Sequence, residues 1–371
     1  MIKWLMMRLS KIVLAVLIVV NLSVAASGME DVRVAPDGRG FVLAESGAAF
    51  VPYGNNFSVV GPLLDDDWNT TWPEVEAGFR DMKDLGANVA RAHLQFGKFM
   101  SAAGTPNTAA LEWLGHLLGT AEKAGMYLDI TGLGCYRPAD VPPWYDSLDE
   151  AARWKTQARF WEAVASRCAA SPAVFCYDLM NEPVSPGGKR KPRAWYSGEL
   201  LGGFDFVQYI SLDQAGRPRD EIARAWIRQL VSAIRRHDQR HLITVGLLPS
   251  MPVHCHMSGF TPSTIAPELD FISVHIYPER GKVDEAITVL KDFVTSKPLV
   301  IEETFPMSCE ADELEQFMIR SRGIAAGWMG HYWGKTIADL ERMRATGKLT
   351  IPDALMLDWL RLFKRFKASH M

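Results

Sequence analysis

The stretch Phe175–Pro183, with the sequence Phe-Cys-Tyr-Asp-Leu-Met-Asn-Glu-Pro, decides how the rest of the chain is interpreted. It is an apolar, β-like run that ends at an acid and is then broken by proline. A second run, Pro298–Phe305 (Pro-Leu-Val-Ile-Glu-Glu-Thr-Phe), also ends at acids. Each run predicts a buried strand that presents a carboxylate at its carboxyl end.

Working outward from these two runs, strand-like and helix-like segments alternate along the chain. The predicted strands are Phe50–Phe57, Ala87–Leu94, Met126–Gly132, Ala173–Glu182, His241–Leu248, Asp270–Tyr277, Leu299–Glu303 and Gly327–Trp333. Apolar spacing near 3.6 predicts helices at Trp72–Leu85, Thr108–Ala124, Leu148–Ala169, Glu221–His237, Val283–Thr295, Cys309–Ala325 and Ile351–Phe366. This alternation predicts a parallel α/β fold, and eight strands are the number that closes a (β/α)8 TIM barrel.

The alternative is an open, doubly wound sheet. That fold usually carries a glycine-rich phosphate loop after its first strand, and Tyr53–Asn56 (Tyr-Gly-Asn-Asn) is not such a loop. We therefore expect a single-domain barrel. A short hairpin, Val32–Val34 with Phe41–Leu43, is expected to cap its floor. The long irregular stretch Val184–Pro218 is expected to be functional, its aromatic side chains serving either as sugar platforms or as loop packing.

The N-terminus has the pattern of an export signal. Basic residues precede the short apolar run Ile12–Val20, and Ser23–Ala26 offers small side chains for cleavage. We expect residues 1–26 to be a signal peptide and residues 27–371 to form the barrel domain. The mature protein is then secreted, extracellular or periplasmic, without stable membrane association. An uncleaved anchor is the alternative.

Composition narrows the classes of partner. The 371 residues are 48% apolar and carry a net charge of −3 with no long basic run, so nucleic acid is not an expected partner. The 12 tryptophans would suit stacking on sugar rings. His254-Cys255-His256 resembles a metal pair, but no suitably spaced third ligand follows, so neither a metal nor a cofactor is expected. We expect a monomer.

Polar side chains gather where the predicted strands end, which in a barrel is where active sites form. Buried polar groups are costly unless they pair or face a water-filled pocket. Pairing with neighbouring residues would explain one or two buried polar side chains. It explains poorly why a whole set of them occurs at the ends of so many strands. The set consists of Asn55, Asn56, Arg91, His93, Asp129, Thr131, Asn181, Glu182, His275, Tyr277, Glu302, Glu303, His331 and Trp333.

These positions resemble glycoside hydrolase family 5, a family of retaining barrel glycosidases. The resemblance spans roughly residues 50–335. It rests on Asn181-Glu182-Pro183 in the fourth strand and Glu303 in the seventh, with Arg91, His275-Ile276-Tyr277 and Trp333 around them. It implies that Glu182 is the general acid/base and that Glu303 is the nucleophile. Retention requires the two carboxyl groups to lie about 5–5.5 Å apart.

The resemblance also implies roles for the neighbours of this pair. Asn181 would bind the sugar 2-hydroxyl, Arg91 and Tyr277 would keep Glu303 ionised and oriented, and His275 would line the pocket. Trp333 would lie under the sugar, and Asn55 and His93 are further expected contacts. Two alternatives stay open: Arg91 as a core ion-pair partner of Asp129 or Asp178, and His93 as a pocket histidine satisfied by its neighbours.

Strand geometry leaves two questions open. Strict alternation would send Asn181 and Glu182 to opposite faces unless the strand ends or twists there. By the same rule only one of Glu302 and Glu303 should face the pocket, and the resemblance favours Glu303. The sequence departs from the family in having Thr131 where a histidine is usual and Thr304 where a glycine is common after the nucleophile.

The expected function is hydrolysis of β-glycosidic bonds in a β-mannan or β-glucan type polysaccharide, with retention and double displacement. An endo-β-mannanase or endo-β-glucanase is the expected type, and a glycoconjugate sugar is a further possible substrate. The alternatives are a non-catalytic exported carbohydrate-binding barrel, which would not need both acids, and a transglycosylase that uses the same residues.

Overall fold

A computed structural model describes residues 28–58, 63–66, 68–198, 202–248 and 258–371. Within these ranges, eight parallel strands pair in chain order and the last pairs with the first, which closes a barrel. In order from first to eighth, the barrel strands are Tyr53–Ser58, Val89–Gln95, Tyr127–Gly134, Val174–Asn181, Leu242–Leu247, Ile272–His275, Leu299–Glu303 and Gly327–Trp333. The predicted (β/α)8 barrel is confirmed, and the open sheet is excluded.

The predicted signal peptide and the His254-Cys255-His256 motif lie outside the described residues. Among the residues that are described, no helix combines the length and the apolar character that crossing a membrane requires.

The seven predicted helices are all present, with ends shifted by a few residues. The helices of the described chain are Trp72–Asp84, Phe96–Phe99, Thr108–Ala124, Pro143–Asp146, Glu150–Cys168, Arg219–Arg235, Pro262–Ile265, Val283–Asp292, Ala311–Ser321, Ile337–Ala345 and Ile351–His370. Short 3-10 turns occupy Pro138–Asp140 and Ala266–Glu268. Ile337–Ala345 was not predicted; its capping box, Thr336 with Asp339, is the local signal that marks it.

The barrel floor is closed by a small antiparallel sheet and by aromatic rings. Strands Val32–Val34 and Phe41–Leu43 form the predicted hairpin, and Ala49–Phe50 adds a third strand. The Phe41 ring meets those of Phe175 and Phe271 edge-on, each at a centroid distance of 5.3 Å. These contacts seal the amino-terminal end of the barrel with apolar surface.

The C-terminal helix Ile351–His370 covers the seam between the eighth and first strands. A capping box of Thr350 and Asp353 starts the helix. Its Phe363 ring stacks on Tyr53 of the first strand at 4.0 Å. Trp359 packs so closely on Gly330 of the eighth strand that a Cβ there would lie 2.0 Å from the indole. This packing fixes the two strands that carry one wall of the barrel mouth.

The described part of the stretch 184–218, which omits residues 199–201, folds against the mouth. Pro183–Val184 pairs in parallel with Gln208–Tyr209, and the Asn181 side-chain amide donates to the Phe206 carbonyl at 3.3 Å. Trp195 is buried, with the Arg153 guanidinium 4.2 Å from its ring. Trp195 is therefore a packing residue and not an exposed platform.

Candidate active site

Arg91 lies at the centre of the barrel mouth. Its side chain is fully buried. One terminal nitrogen donates to Glu303 Oε1 at 2.5 Å, and the other donates to Asp178 Oδ2 at 2.6 Å. Burial lowers the pKa of Arg91, but the charges of Glu302, Asp178 and Glu303 outweigh it and raise that pKa well above its usual value. Arg91 is therefore a core ion-pair partner of Asp178 and, at the same time, a direct neighbour of Glu303.

Glu303 ends the seventh strand and is held from two sides. The Tyr277 hydroxyl donates to Glu303 Oε2 at 2.5 Å, while Arg91 binds the other oxygen. Burial alone would raise the pKa of Glu303. The charges of His275 and Arg91, with the hydrogen bond from Tyr277, hold that pKa well below its usual range instead. Glu303 is therefore an oriented carboxylate at neutral pH.

Tyr277 has a second neighbour, His331 of the eighth strand. The distance from the Tyr277 oxygen to His331 Nε2 is 3.2 Å. Because the phenol uses its single proton toward Glu303, His331 acts as the donor in this contact. Burial lowers the pKa of His331 in spite of the Glu303 charge, which raises it. His331 is thus a neutral support for Tyr277.

Glu182 reaches the same pocket through an unusual backbone conformation. The fourth strand ends at Asn181, and Glu182 takes a positive φ of 47°, in the left-handed region. Its amide donates to the Gly246 carbonyl of the fifth strand at 2.8 Å. This turn answers the alternation question, since it brings Glu182 and Asn181 into the mouth together. The Asn181 side-chain oxygen accepts from Arg91 at 3.1 Å.

The Glu182 carboxyl lies beside both His275 and Glu303. His275 Nδ1 is 2.9 Å from Glu182 Oε1. One oxygen of each carboxyl group and a ring nitrogen of His275 all lie within 4.8 Å of one another. Burial raises the pKa of Glu182, although the hydrogen bond from His275 opposes it. The two acids therefore have pKa values displaced in opposite directions.

Glu302 and Glu303 both point to the inside of the barrel, which strict alternation does not allow: Glu303 lies beside Glu182 at the pocket, and Glu302 lies fully buried in the layer below. The register between the sixth and seventh strands shifts at this point: Val274 lies opposite Ile301, but His275 lies opposite Glu303. Glu302 is thus the extra residue, and alternation is broken. Its carboxylate is fully buried, 3.3 Å from His275 Nε2.

A layer of carboxyl groups lies beneath the pair. Oxygens of Asp129, Asp178 and Glu302 lie within 4.8 Å of one another. Thr131 Oγ1, at the position where the family usually has histidine, donates to Asp178 Oδ2 at 2.8 Å. Burial and the Glu302 charge raise the pKa of Asp129 well above its usual value. This layer surrounds Arg91 with more acids than it can pair.

Asn55 is placed away from the site, contrary to its predicted role in substrate binding. It is fully buried, and its side-chain oxygen accepts from Trp359 Nε1 at 3.2 Å, on the outer face of the barrel. Side chains alternate along a strand, so the next residue, Asn56, faces inward. The Asn56 oxygen accepts from Arg91 at 2.8 Å. Fixing the strand phase from the apolar residues Tyr53 and Phe57, which pack outward, would have selected Asn56.

His93 lies in the mouth with both ring nitrogens occupied. Nε2 is 2.9 Å from Asn56 Oδ1, and Nδ1 is 2.7 Å from the Tyr136 hydroxyl. This placement favours the alternative in which His93 is satisfied by neighbours. Tyr136 was not predicted as a site residue. Its ring extends the wall of the mouth toward Phe206, with the two ring centroids 5.3 Å apart.

Trp333 lies at the rim, at the end of the eighth strand. It is 42% exposed, and its ring lies beside Phe305 at a centroid distance of 5.6 Å. Few large apolar side chains in the described part of the chain are exposed, and Trp333 is one of them. An indole at a barrel mouth offers a flat face for stacking.

Comparison with known proteins assigns the family. The model of the cellulase family, glycosyl hydrolase family 5, matches residues 44–297. A mannan endo-1,4-beta-mannosidase A from Podospora anserina is 24% identical over 309 residues, which cover 75% of this chain and 73% of the relative.

Two solved structures share the fold. A beta-1,4-mannanase from the sea hare Aplysia kurodai is 18% identical and superposes with a TM-score of 0.61, over 90% of this chain and 96% of that one. An exo-beta-1,4-mannosidase from an Opitutaceae bacterium is 15% identical with a TM-score of 0.60, over 94% of this chain and 62% of that one. Since the family model covers most of the chain, the protein belongs to glycosyl hydrolase family 5 and is a glycosidase.

Proposed function

We propose that this protein is a retaining glycoside hydrolase that cleaves β-1,4-mannan by double displacement. The observation that carries the proposal is the pair formed by Glu182 and Glu303. Oxygens of the two carboxyl groups lie within 4.8 Å, which is compatible with the spacing of about 5–5.5 Å for retaining enzymes and not with the larger gap of inverting ones. Their pKa values move apart, as an acid and a nucleophile require.

In the first step, the Glu303 carboxylate attacks the anomeric carbon, and Glu182 gives its proton to the departing glycosidic oxygen. A bond to Glu303 forms as the bond to the leaving sugar breaks. In the second step, Glu182 takes a proton from water, the resulting hydroxide attacks the anomeric carbon, and Glu303 is released as a carboxylate. Each residue ends in the state in which it started.

Asn181, Arg91 and Tyr277 keep their proposed roles. Arg91 and Tyr277 both contact Glu303, so each stabilises the ionised nucleophile. Asn181 lies one residue before Glu182 at the same rim, in reach of a sugar hydroxyl. His275 lines the pocket against Glu182, and Trp333 offers the flat face beneath the sugar.

The proposed substrate class rests on similarity to the proteins compared above. The Podospora relative is named for endo action on mannan, and one of the two structural neighbours described above is named for exo action. We therefore propose β-1,4-mannan or its oligosaccharides. The proposal includes export of a monomer after removal of residues 1–26, which N-terminal sequencing and gel filtration of the secreted protein would test.

The central experiment measures reducing-sugar release from β-mannan, β-glucan and xylan. Wild type is compared with Glu182→Gln and Glu303→Gln, and with Glu285→Gln as the control, since Glu285 is exposed on the helix Val283–Asp292. We expect release from mannan, a loss of several orders of magnitude in both pocket variants, and unchanged release in the control. Equal release by all four proteins would overturn the catalytic pair.

The stereochemical course is a separate test. Proton NMR of a mannotriose digest, recorded before mutarotation, should show the β-anomer first, because double displacement retains configuration. An α-anomer as the first product would exclude retention. Release of longer oligosaccharides instead of free sugar would indicate transglycosylation.

A further inference from the structure

A chain of three side chains runs from the buried acidic layer to the proposed general acid/base. Glu302 Oε2 lies 3.3 Å from His275 Nε2, and His275 Nδ1 lies 2.9 Å from Glu182 Oε1. We propose that Glu302 is a positioning residue that holds His275 as a doubly protonated imidazolium, and through it controls the proton on Glu182. This inference rests on the proposed function of Glu182.

Carboxyl oxygens lie on both sides of the His275 ring. Nε2 faces Glu302, and Nδ1 faces Glu182 and also lies 3.6 Å from Glu303 Oε2. A protonated Glu182 could donate to a neutral ring, but the Nδ1 lone pair would then also face the ionised Glu303, which can only accept. The imidazolium avoids that contact, and it is the form that can donate to Glu302 and to Glu182 once Glu182 has given up its proton.

Close packing holds this contact in place. A Cβ added to Gly246 would lie 2.8 Å from Glu302 Oε2 and 3.1 Å from His275 Nε2. Glycine at this position lets the fifth strand lie directly against the pair, so neither side chain can move toward that strand. Glu302 is fully buried as well, so water cannot take the place of His275 as its hydrogen-bond partner.

The surrounding charges favour the same state. Burial lowers the pKa of His275, but the charge of Glu303 and the hydrogen bonds to Glu182 and Glu302 outweigh it and raise that pKa to about 10. Acids outnumber the one permanent cation of the cluster. The titratable and charged groups around His275 are Glu182, Glu302, Glu303, Asp129, Asp178, Arg91, Tyr277, His93 and His331.

The consequence for the reaction concerns Glu182 after it has given up its proton. The new carboxylate would accept the hydrogen bond from His275 Nδ1, and the adjacent cation would stabilise it until water returns a proton. His275 itself keeps both of its protons throughout. Without Glu302 the ring would hold its second proton less tightly, and Glu182 would hold its own proton more tightly.

The test is nitrogen-15 NMR of the full-length protein, with the His275 signals assigned by their loss in His275→Asn. In wild type at pH 7 we expect both ring nitrogens to be protonated. In Glu302→Gln we expect one ring nitrogen to lose its proton at a lower pH than in wild type, whereas Glu302→Asp, which keeps the charge, should titrate close to wild type. This readout does not depend on catalysis, so it separates failure of the inference from failure of the proposed function.

Activity gives the second readout. In Glu302→Gln the basic limb of the kcat/KM profile should move to higher pH. Cleavage of unactivated mannosides should fall about tenfold or more, while aryl mannosides that need no acid should change less, since general acid catalysis is the part that weakens. A His275 ring that titrates at the same pH in Glu302→Gln as in wild type, or an unchanged basic limb, would overturn the inference. If that variant fails to fold, a neutral His275 in wild type at pH 7 would do the same.

Discussion

The floor and the mouth of this barrel are built from the same strands but by opposite means. At the floor, the fourth strand contributes Phe175, packed edge-on against Phe41. Three residues further along, the same strand contributes Asp178, paired with the buried Arg91. The floor thus gains from burying apolar surface, whereas the mouth removes charges from water and must compensate them internally.

The difference shows how stability and chemistry are divided along each strand. Burying one large apolar side chain is worth about 1.5–3 kcal/mol. Desolvating one ion costs several kcal/mol, which is recovered only with good geometry. The aromatic floor and the outer helices therefore stabilise a mouth that is unfavourable on its own. Four substitutions would break or sharpen this comparison, beginning with the largest expected effect.

The first substitution removes the central cation of the mouth. Arg91→Met leaves several buried acids without a partner, so we expect the free energy of unfolding to fall by about 3–5 kcal/mol. Because Glu303 loses a stabilising charge, kcat/KM should also fall, by on the order of a thousandfold. Denaturant titration and mannan hydrolysis measure the two effects. Arg91→Lys keeps the charge but loses the paired hydrogen bonds of the guanidinium group, so its stability and activity should lie between those of wild type and the Met variant. A stable and active Met variant would contradict the central role of Arg91.

The second substitution is made at the floor. Phe175→Ala opens a cavity among the rings, so we expect a loss of about 3–5 kcal/mol in the free energy of unfolding. The activity of the folded fraction should stay within about threefold, because the mouth is untouched. If the Ala variant does not fold, Phe175→Leu provides a smaller cavity. A tenfold loss of kcat/KM in fully folded protein would show that floor and mouth are coupled.

The third substitution is a subtle change in the mouth. Tyr277→Phe removes one hydrogen bond to Glu303, and that bond lowers the pKa of Glu303. The pKa should therefore rise, and the acidic limb of the kcat/KM profile should move to higher pH. The expected loss of kcat is about 100-fold, at the lower end for a lost charge-stabilising donor. Phenylalanine fills the same space, but Glu303 and His331 each lose a hydrogen-bond partner, so the free energy of unfolding should fall by about 1–3 kcal/mol. An unmoved acidic limb would contradict the contact.

The fourth and smallest effect tests a charge near the floor. Asp238 accepts from the Tyr177 hydroxyl at 2.6 Å and from His241 Nδ1 at 2.5 Å. Burial alone would raise its pKa, but these bonds hold the pKa of Asp238 well below the usual value. Its contribution is therefore present above the unfolded pKa of about 3.9 and is lost as pH falls toward the folded value.

For Asp238→Asn we accordingly expect a loss of about 1–3 kcal/mol at pH 7, which shrinks as the pH is lowered below 4. Urea denaturation of both proteins across this range gives the difference curve. A difference that does not depend on pH would mean that the shape of Asp238, and not its charge, stabilises the floor.

The strands and helices could be predicted because their signals are local. Apolar runs and helical spacing located the strand that ends beside Glu182 and the strand that ends at Glu303. It was harder to predict which side chains of the first strand face into the barrel, since a shift of one residue exchanges Asn55 for Asn56. The inward placement of both Glu302 and Glu303 could not be predicted, because the register shift that breaks alternation between them depends on pairing with another strand.

One local feature has consequences for directed evolution of this enzyme. Glu182 occupies the left-handed backbone region that glycine and asparagine adopt more readily, at a cost of about 1–3 kcal/mol. A variant library sorted for heat tolerance alone would therefore enrich Glu182→Gly and Glu182→Asn. Since Glu182 is the proposed general acid/base, such a selection would progressively remove the proposed activity from the population, and every round needs a turnover screen to prevent that drift.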